Sequence, residues 1–527
     1  MRCAIIVGVN AFSFCHPISD SHPSRRRCAG WAGLLLAVAI GFALRWLQIH
    51  ESLWLDELHT SWVAGGGLHD VAPRARAGNQ SPLYFYLVWG LVSLWGQHEW
   101  VVRLPSVLAG VALIPATGWV TCRWTKSTWA ALAATWLVAL DRDCVFYAQE
   151  ARPYALLQLV ALVHGFVFVN VLRHGRSRDR GLLILGAVFL FYLHYTAFLF
   201  LAAELACWTV LAVRRPHALA YRPRQLLLDL AVVGLCIVPA GPHVLRVVAR
   251  RANWTRLIGP WPSPALWYEL VTYGLIPWLA ILAARAFGGK RGGSRTAEIP
   301  RVWIVCWWVV PLDLAWLGTV TGLASLWMLR YVITALVGMI VFAAGGIASV
   351  RNRGLRLVLT AVVCGACVVH GNMLRQWQID GRVIGDRRED WARAIQWLNH
   401  ENRCPERPVF LVAGLLEDAE LARDPAPNLR AYCTFPLQGI YHVDTHHIEA
   451  LSSSGNARPS QHAIQLAKRR RGFWLVVRAG PVGTQRRVGA MVRAFKQAGI
   501  PIQVISTRRF GGIGVVAFRV VPHVSAR

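Results

Sequence analysis

Asp56 and Glu57 stand side by side in ESLWLDELHT (51–60), directly after the first long apolar segment. A carboxylate at the edge of a low-dielectric region has its pKa moved toward neutrality by partial burial, which suits a general base. A second acid, Glu150, lies in YAQEARPY (147–154) with Arg152 and Tyr154 beside it. If the chain returns both stretches to one side of a membrane, two acidic sites, an arginine and tyrosines converge on one face. The plainer readings are a solvated loop acid for Asp56 and Glu57 and a helix-start ion pair for Glu150 with Arg152.

Other polar residues sit at the ends of apolar runs. Ser81 and Tyr84 belong to NQSPLY (79–84), where Pro82 suits a helix N-terminus whose exposed amides can receive a phosphate. Arg103, the pair His194 and Tyr195, and the pair Arg330 and Tyr331 occupy comparable positions. One arginine at a hydrocarbon boundary can snorkel to water, whereas several on one face suit a phosphate pocket. Glu204, Asp229 and Asp313 fall within apolar runs and are the kind of acid found on proton or ion pathways. Interhelical bonding for Glu204 and Asp313, and hydration at a helix end for Asp229, are the structural alternatives.

The elements that must position these groups are membrane helices. The chain has 527 residues, 55% of them apolar, and 25 tryptophans. Its apolar runs approach or exceed the roughly 20 residues that cross a hydrocarbon core. The net charge of +29 resides largely in short clusters between those runs, as the positive-inside rule expects, so it reports topology and not a nucleic-acid partner. Spans are expected near 28–48, 104–120, 129–147, 153–172, 182–192, 196–213, 226–244, 265–287, 302–320, 326–350 and 357–370, about 11 in all. The apolar run 82–95 is short and rich in Tyr and Trp, and is expected to lie in the interface. If it crossed, every later basic loop would move to the outer side, against the charge bias. Only the stretch 246–256, RVVARRANWTR, then remains outside as a basic loop, and it is a candidate for an anionic headgroup.

The fold class expected is an all-α polytopic membrane protein with an interfacial helix in its first outer loop and a small C-terminal extracytoplasmic α/β domain. Residues 1–27 form a cytoplasmic N-terminal segment, 28–373 the transmembrane catalytic domain, and 374–527 the soluble domain. In the latter, 390–399 and 491–498 read as helices and 409–412, 473–477, 502–505 and 514–520 as strands. Most cysteines lie in apolar runs, but Cys404 and Cys433 fall in the tail, where a disulfide is plausible in an oxidising compartment.

The ordered series WLDE (54–57), SPLY (81–84), RLPS (103–106), YAQEARPY (147–154), HY (194–195), RY (330–331) and EDW (389–391) resembles the C-type membrane glycosyltransferases, in the bacterial branch related to protein O-mannosyltransferases and the lipid A aminoarabinose transferase. The resemblance implies a bacterial inner-membrane enzyme with an extracytoplasmic active site. Its donor would be a monosaccharide on a polyprenyl phosphate, transferred with inversion to a lipid, glycan or protein acceptor. By position, Asp56 matches the family's catalytic carboxylate and Glu150 its second acidic position. Some relatives carry a lysine near SPLY that binds the donor phosphate. Asn79, Gln80 and Ser81 supply none here, which directs attention to Arg330 and the 246–256 loop.

These readings make Asp56, Glu57 and Glu150 the expected catalytic residues. Ser81, Tyr84, Arg103, Arg152, Tyr154, His194, Tyr195, Arg330 and Tyr331 are the expected substrate contacts. No cofactor is implied, although Asp56 with Glu150 could hold a divalent cation despite lacking a dedicated ligand spacing. A transporter of a lipid-linked glycan and a noncatalytic scaffold are the competing classes.

Overall fold

The computed structural model describes residues 23–250, 298–385, 387–421, 427–453 and 459–521. The expectations for 1–22, for a span at 265–287, for the basic loop 288–295 and for 251–256 lie outside these residues. Within hydrocarbon every backbone N–H and C=O must be satisfied inside its own segment, so the apolar runs fold as helices. In chain order these are Pro23–Trp46 (α1), Leu55–Ala64 (α2), Leu68–Ala77 (α3), Leu83–Trp95 (α4), Glu99–Thr125 (α5), Thr128–Leu140 (α6), Arg142–Ala148 (α7), Tyr154–His174 (α8), Ser177–Leu193 (α9), Phe198–Arg214 (α10), Pro223–Ile237 (α11), Gly241–Ala249 (α12), Glu298–Val320 (α13), Leu329–Ser349 (α14), Arg353–His370 (α15) and Met373–Asp380 (α16).

Six helices among the described residues are long and apolar enough to cross a membrane, or up to seven if α15 and α16 form one bent span. One expected span, 265–287, lies outside the described residues, and another difference is local. The run 129–147 is broken at Asp141, whose carboxylate accepts the Cys144 N–H and starts the separate helix α7. Helix α4, the run expected in the interface and not counted among the spans, has 13 residues, about 20 Å at 1.5 Å per residue, and is shorter than a hydrocarbon core of about 30 Å.

The membrane-type core is built mainly from α5, α6, α8, α10, α13 and α14. Trp303 stacks on Trp307 at 5.6 Å, with Phe200 set edge-on to both. Two features of this core position the functional residues. Arg45, fully buried, donates to Val138 O and Ala139 O, carbonyls in the last turn of α6 that have no intrahelical partner, and so pins α1 to α6. A Cβ at Gly110 would strike Ala148, so glycine there lets α5 lie directly against the end of α7.

After α16 the chain forms a five-stranded mixed sheet of order β2-β1-β3-β5-β4, from Val409–Val412 (β1), Ile448–Ala450 (β2), Gly472–Arg478 (β3), Ile502–Phe510 (β4) and Ile513–Val520 (β5). β1 pairs in parallel with β2 and β3, whereas β5 is antiparallel to both β3 and β4. The helices of this part are Trp391–Glu401 (α17), Pro427–Thr434 (α18), Gln461–Arg469 (α19) and Pro481–Gln497 (α20). Alternation along β3 sends Phe473, Leu475 and Val477 toward α19 and α20, and Trp474 and Val476 to the opposite face. Burial on both faces explains its unbroken apolar sequence. The three-residue strand β2 was not expected, and α20 is longer than the 491–498 helix read from periodicity. Cys404 and Cys433, the pair open to a disulfide in an oxidising compartment, are both free. Cys433 is instead buried in an apolar cluster with Tyr432 and Phe435.

The opposite face of the sheet does not close on its own helices alone. Leu53, Leu55 and Leu58, from the stretch that carries Asp56, are buried with Trp391, Ile395, Phe435 and Trp474. The first loop is thus part of the core of the C-terminal domain.

Candidate active site

Helix α2 presents Asp56 and Glu57 in different directions. Glu57 is fully buried, with Arg103 Nε at 2.8 Å from Oε1 and Arg103 Nη2 at 2.6 Å from Oε2. Oε1 also accepts the Ala151 N–H at 2.9 Å, and Oε2 the Trp54 N–H at 3.4 Å, closing the N-terminus of α2. Arg103 spends its remaining donors on the carbonyls of Gln48, Ile49, Glu51 and Ser52. Burial opposes the charge on Glu57, but Arg103 and Arg387 outweigh it and keep the carboxylate ionised. Neither side chain offers accessible surface to a sugar or phosphate. Their geometry makes them the fastening between the first loop and α5, a place different from the substrate contacts expected of them.

Asp56 faces the other way, about 27% exposed, with Oδ2 at 3.0 Å from Arg330 Nη1 at the start of α14. Arg152 Nη1 donates to the Asp56 carbonyl at 3.4 Å. Burial alone would raise the Asp56 carboxyl, but Arg152, Arg330 and Arg478 outweigh it and hold the group below its usual range. The expectation of a pKa drawn toward neutrality is therefore reversed, because guanidinium groups surround this acid.

The second acidic position behaves in the opposite manner. Glu150 is buried, its Oε2 makes no hydrogen bond among the described residues, and its pKa is pushed up to about 8. Burial is the main cause, and the charges of Asp56 and Glu57 add to it against Arg387 and Arg152. At neutral pH the free protein thus holds one ionised and one protonated carboxyl in the same site.

The loop bearing Glu150 is fixed from three sides. Thr60 Oγ1 donates to Ala151 O at 2.8 Å, reciprocating the Ala151 N–H bond to Glu57. Tyr84 OH meets Ser106 Oγ at 2.8 Å, and Ser106 Oγ donates to Arg152 O at 2.8 Å. Arg387 donates to Gln149 O at 2.8 Å and Phe146 O at 2.7 Å. Tyr84 is fully buried and supports Arg152 from behind.

Aromatic rings continue the site away from Asp56. Tyr154 packs edge-on against Tyr147 at 5.0 Å and lies 5.6 Å from His194, whose ring is 5.9 Å from Tyr331. The Arg330 guanidinium lies 6.0 Å from the Tyr331 ring centre. Burial and the charges of Arg152 and Arg330 push His194 down to about 3, leaving a neutral imidazole. Its Nδ1 bonds the Thr196 hydroxyl at 2.7 Å.

The structure thus brings together Asp56, Glu150, Arg152, Tyr154, His194, Arg330 and Tyr331. It sets others apart. The Ser81 hydroxyl donates to Tyr192 O, and the Tyr195 hydroxyl bonds His243 Nδ1 at 2.8 Å. Neighbouring Asn79 bonds Glu417 and Arg250, the described end of the basic loop, and Arg250 also pairs with Glu420. That arginine is committed to Asn79 and Glu420.

Arg387, Glu389 and Arg478 were not anticipated as site residues. Glu389 Oε2 accepts the N–H of Leu55, the first residue of α2, at 3.1 Å, and the Trp391 indole N–H at 2.8 Å. Its Oε1 accepts from Arg478 Nε at 2.6 Å. A carboxylate at that helix end both fills an open N–H and favours the helix dipole. The sequence signal was the charged run RRED (387–390) at the head of the tail.

No group of three or more His, Cys, Asp or Glu side chains among the described residues could hold a metal ion. Around Asp56 the close charged partners are guanidinium groups, which repel a cation. These residues do not fit a divalent metal between Asp56 and Glu150.

Residues 79–243 match the family model described as dolichyl-phosphate-mannose-protein mannosyltransferase. No curated protein matches the chain. Among solved structures of similar fold is the crystal structure of ArnT from Cupriavidus metallidurans bound to undecaprenyl phosphate, at 14% identity and TM-score 0.55, covering 93% of this chain and 98% of that one. The apo state of ArnT gives 14% identity, the same coverage and a TM-score of 0.54. At such identity the likeness is one of fold. Together with the family match, it bears out the resemblance read from the ordered motifs.

Proposed function

We propose that this chain is an inverting glycosyltransferase of a bacterial inner membrane, moving a monosaccharide from a polyprenyl-phosphate donor to an acceptor hydroxyl at the extracytoplasmic face. The observation that carries this reading is the ion pair of Asp56 with Arg330, where a partly exposed carboxylate and the first turn of an apolar helix meet. A phosphate-linked sugar already has a good leaving group, so the demands on the protein are a base for the acceptor and cations for the departing phosphate. The pair supplies both. The family match and the fold shared with ArnT support the same class.

In this mechanism the donor phosphate takes Arg330, assisted by Arg152, and breaks the pair with Asp56. Neutralising the guanidinium groups raises the Asp56 pKa, so the carboxylate becomes a stronger base once donor is bound. Asp56 then takes the acceptor hydroxyl proton while the acceptor oxygen attacks the anomeric carbon from the side opposite the phosphate. The bond from that carbon to the phosphate oxygen breaks, and the polyprenyl phosphate leaves with the electron pair. One displacement inverts the centre. Glu150, protonated, donates a hydrogen bond to the sugar.

Transport of the intact donor is the competing reading, drawn from three acids within apolar runs. Glu204 lies 2.7 Å from His164, Asp229 is held by Arg180 and Tyr221, and Asp313 lies on an exposed helix face. Mass spectrometry of envelope glycans tests the reaction, comparing cells lacking the protein with cells complemented by wild type or Asp56→Asn at equal membrane levels. Wild type should restore a missing monosaccharide and Asp56→Asn should not. Restoration by both would remove Asp56 from the reaction.

A further inference from the structure

A cavity of about 740 Å³ opens in the C-terminal domain where β1 and β3 end and α20 begins. Its lining includes Arg478, Arg486, Arg487 and Arg493 and, among the described residues, contains no carboxylate. We propose that this cavity is a binding site for a phosphate-bearing ligand, separate from the donor site at Arg330.

The construction is specific. Val482, Arg486, Gly489 and Arg493 follow one another at spacings of four, three and four, so they share one face of α20. A Cβ at Gly489 would lie 3.4 Å from Arg493 Nη1, so the small residue keeps the floor between the two arginines shallow. At the head of the helix a Cβ on Gly483 would lie 2.8 Å from Ala479 Cβ, so glycine brings the first turn of α20 against the end of β3. No side chain caps that helix end. Across the cavity, Gly414 takes a left-handed backbone conformation, with φ +68°, at the exit of β1.

The arginines are not equivalent. Arg487 is anchored to the carbonyls of Ser452 and Ser453, and Arg478 to Glu389. Arg486 and Arg493 are exposed and hold no carboxylate or carbonyl among the described residues. Two anchored guanidinium groups thus make a wall and two uncommitted ones face them. Guanidinium groups bind phosphate oxygens in pairs, and the open amides of a helix start favour the same anion. The volume exceeds that of a bare phosphate, which points to a phosphorylated headgroup or sugar. Arg478, anchored on the Glu389 that also accepts the Leu55 N–H, is the lining residue tied to the helix that carries Asp56.

Calorimetry with inorganic pyrophosphate tests the site, using the full chain in nanodiscs of neutral lipid. Arg330→Gln serves as the background, so that the heat reports the cavity alone. Adding Arg486→Gln and Arg493→Gln should weaken binding at least tenfold, while lysine at both positions should recover part of it. Lys468→Gln with Arg469→Gln, exposed on α19, should change little. Undiminished binding in the glutamine variant, an equal loss from the α19 variant, or no binding in the Arg330→Gln background would each overturn the proposal. Discs containing phosphatidic acid distinguish the source of the phosphate. If they abolish the heat, the ligand is a lipid headgroup; if the heat persists, it is a phosphate compound from solution.

Discussion

Removing the carboxylate of Asp56 should separate catalysis from phosphate binding. At 3.0 Å and an effective dielectric constant near 20, the attraction between Asp56 and Arg330 is about 5 kcal/mol before solvent is considered. Each side chain is about a quarter exposed, so screening leaves ~1–3 kcal/mol of net interaction. A phosphate entering the site must displace that interaction. In Asp56→Asn the amide still accepts a hydrogen bond but no longer holds the cation electrostatically. Polyprenyl phosphate should therefore bind Asp56→Asn as tightly as wild type or up to about tenfold more tightly. Loss of the base should meanwhile lower kcat by about 10² to 10⁴. Arg330→Gln should do the reverse at the binding step, weakening polyprenyl phosphate at least about tenfold. Binding of polyprenyl phosphate to purified protein in nanodiscs, followed by intrinsic tryptophan fluorescence, measures the first effect, and the glycan comparison measures the second. If Asp56→Asn weakens phosphate binding as severely as Arg330→Gln, Asp56 is organising the phosphate pocket and the proposed division of labour is wrong.

Four further outcomes follow from the same geometry. In the free protein Glu150 is pushed up to about 8, so its loss of a proton should produce an alkaline fall in kcat/KM near that pH; Glu150→Gln should remove this limb from the pH profile, and an unchanged limb would clear Glu150 of causing it. Because the folded pKa lies above the ordinary carboxyl value, Glu150 also makes the fold less stable as pH rises from about 4.5 to about 8, and Glu150→Gln should flatten that slope in thermal unfolding. Arg103→Met strands the Glu57 charge and should cost about 3–5 kcal/mol, whereas adding Glu57→Gln should recover part of the loss; equal melting temperatures for the single and double variants would contradict the pairing. Glu389→Ala removes bonds to Leu55, Trp391 and Arg478, and should lower both thermal stability and turnover while Glu389→Gln does so less.

The sequence made the membrane character legible because hydrocarbon demands long apolar runs, and it made Asp56, Glu150 and Arg152 legible because acids and arginines at the ends of such runs need a reason. It did not show how those charges are paired. Glu57 adjoins Asp56 in sequence, yet helical rotation turns one toward the buried Arg103 and the other toward Arg330. The sign of the Asp56 shift was equally hidden, since it depends on Arg152, Arg330 and Arg478 together, and the last of these is 422 positions away and reaches the site only after the sheet has folded. Asp141 likewise looked like part of a continuous run, because one acid capping a new helix hardly alters the mean hydropathy of its surroundings.

That dependence changes what truncation of the tail can reveal. If the C-terminal domain were a separate binding module, deleting it would leave the membrane site intact, and loss of function would argue for a scaffold. The packing contradicts this premise. Leu53, Leu55 and Leu58 complete the core of that domain, Tyr441 accepts the Leu53 N–H and donates to Glu99, and Gln48 bonds the backbone of Val383 and Ile384. Removal of the tail would expose three leucines, open the first turn of α2 and release Arg387 from the loop that carries Glu150. A transferase and a scaffold would therefore both fail on truncation. Only substitutions that leave this seam intact, Asp56→Asn first among them, discriminate between the two.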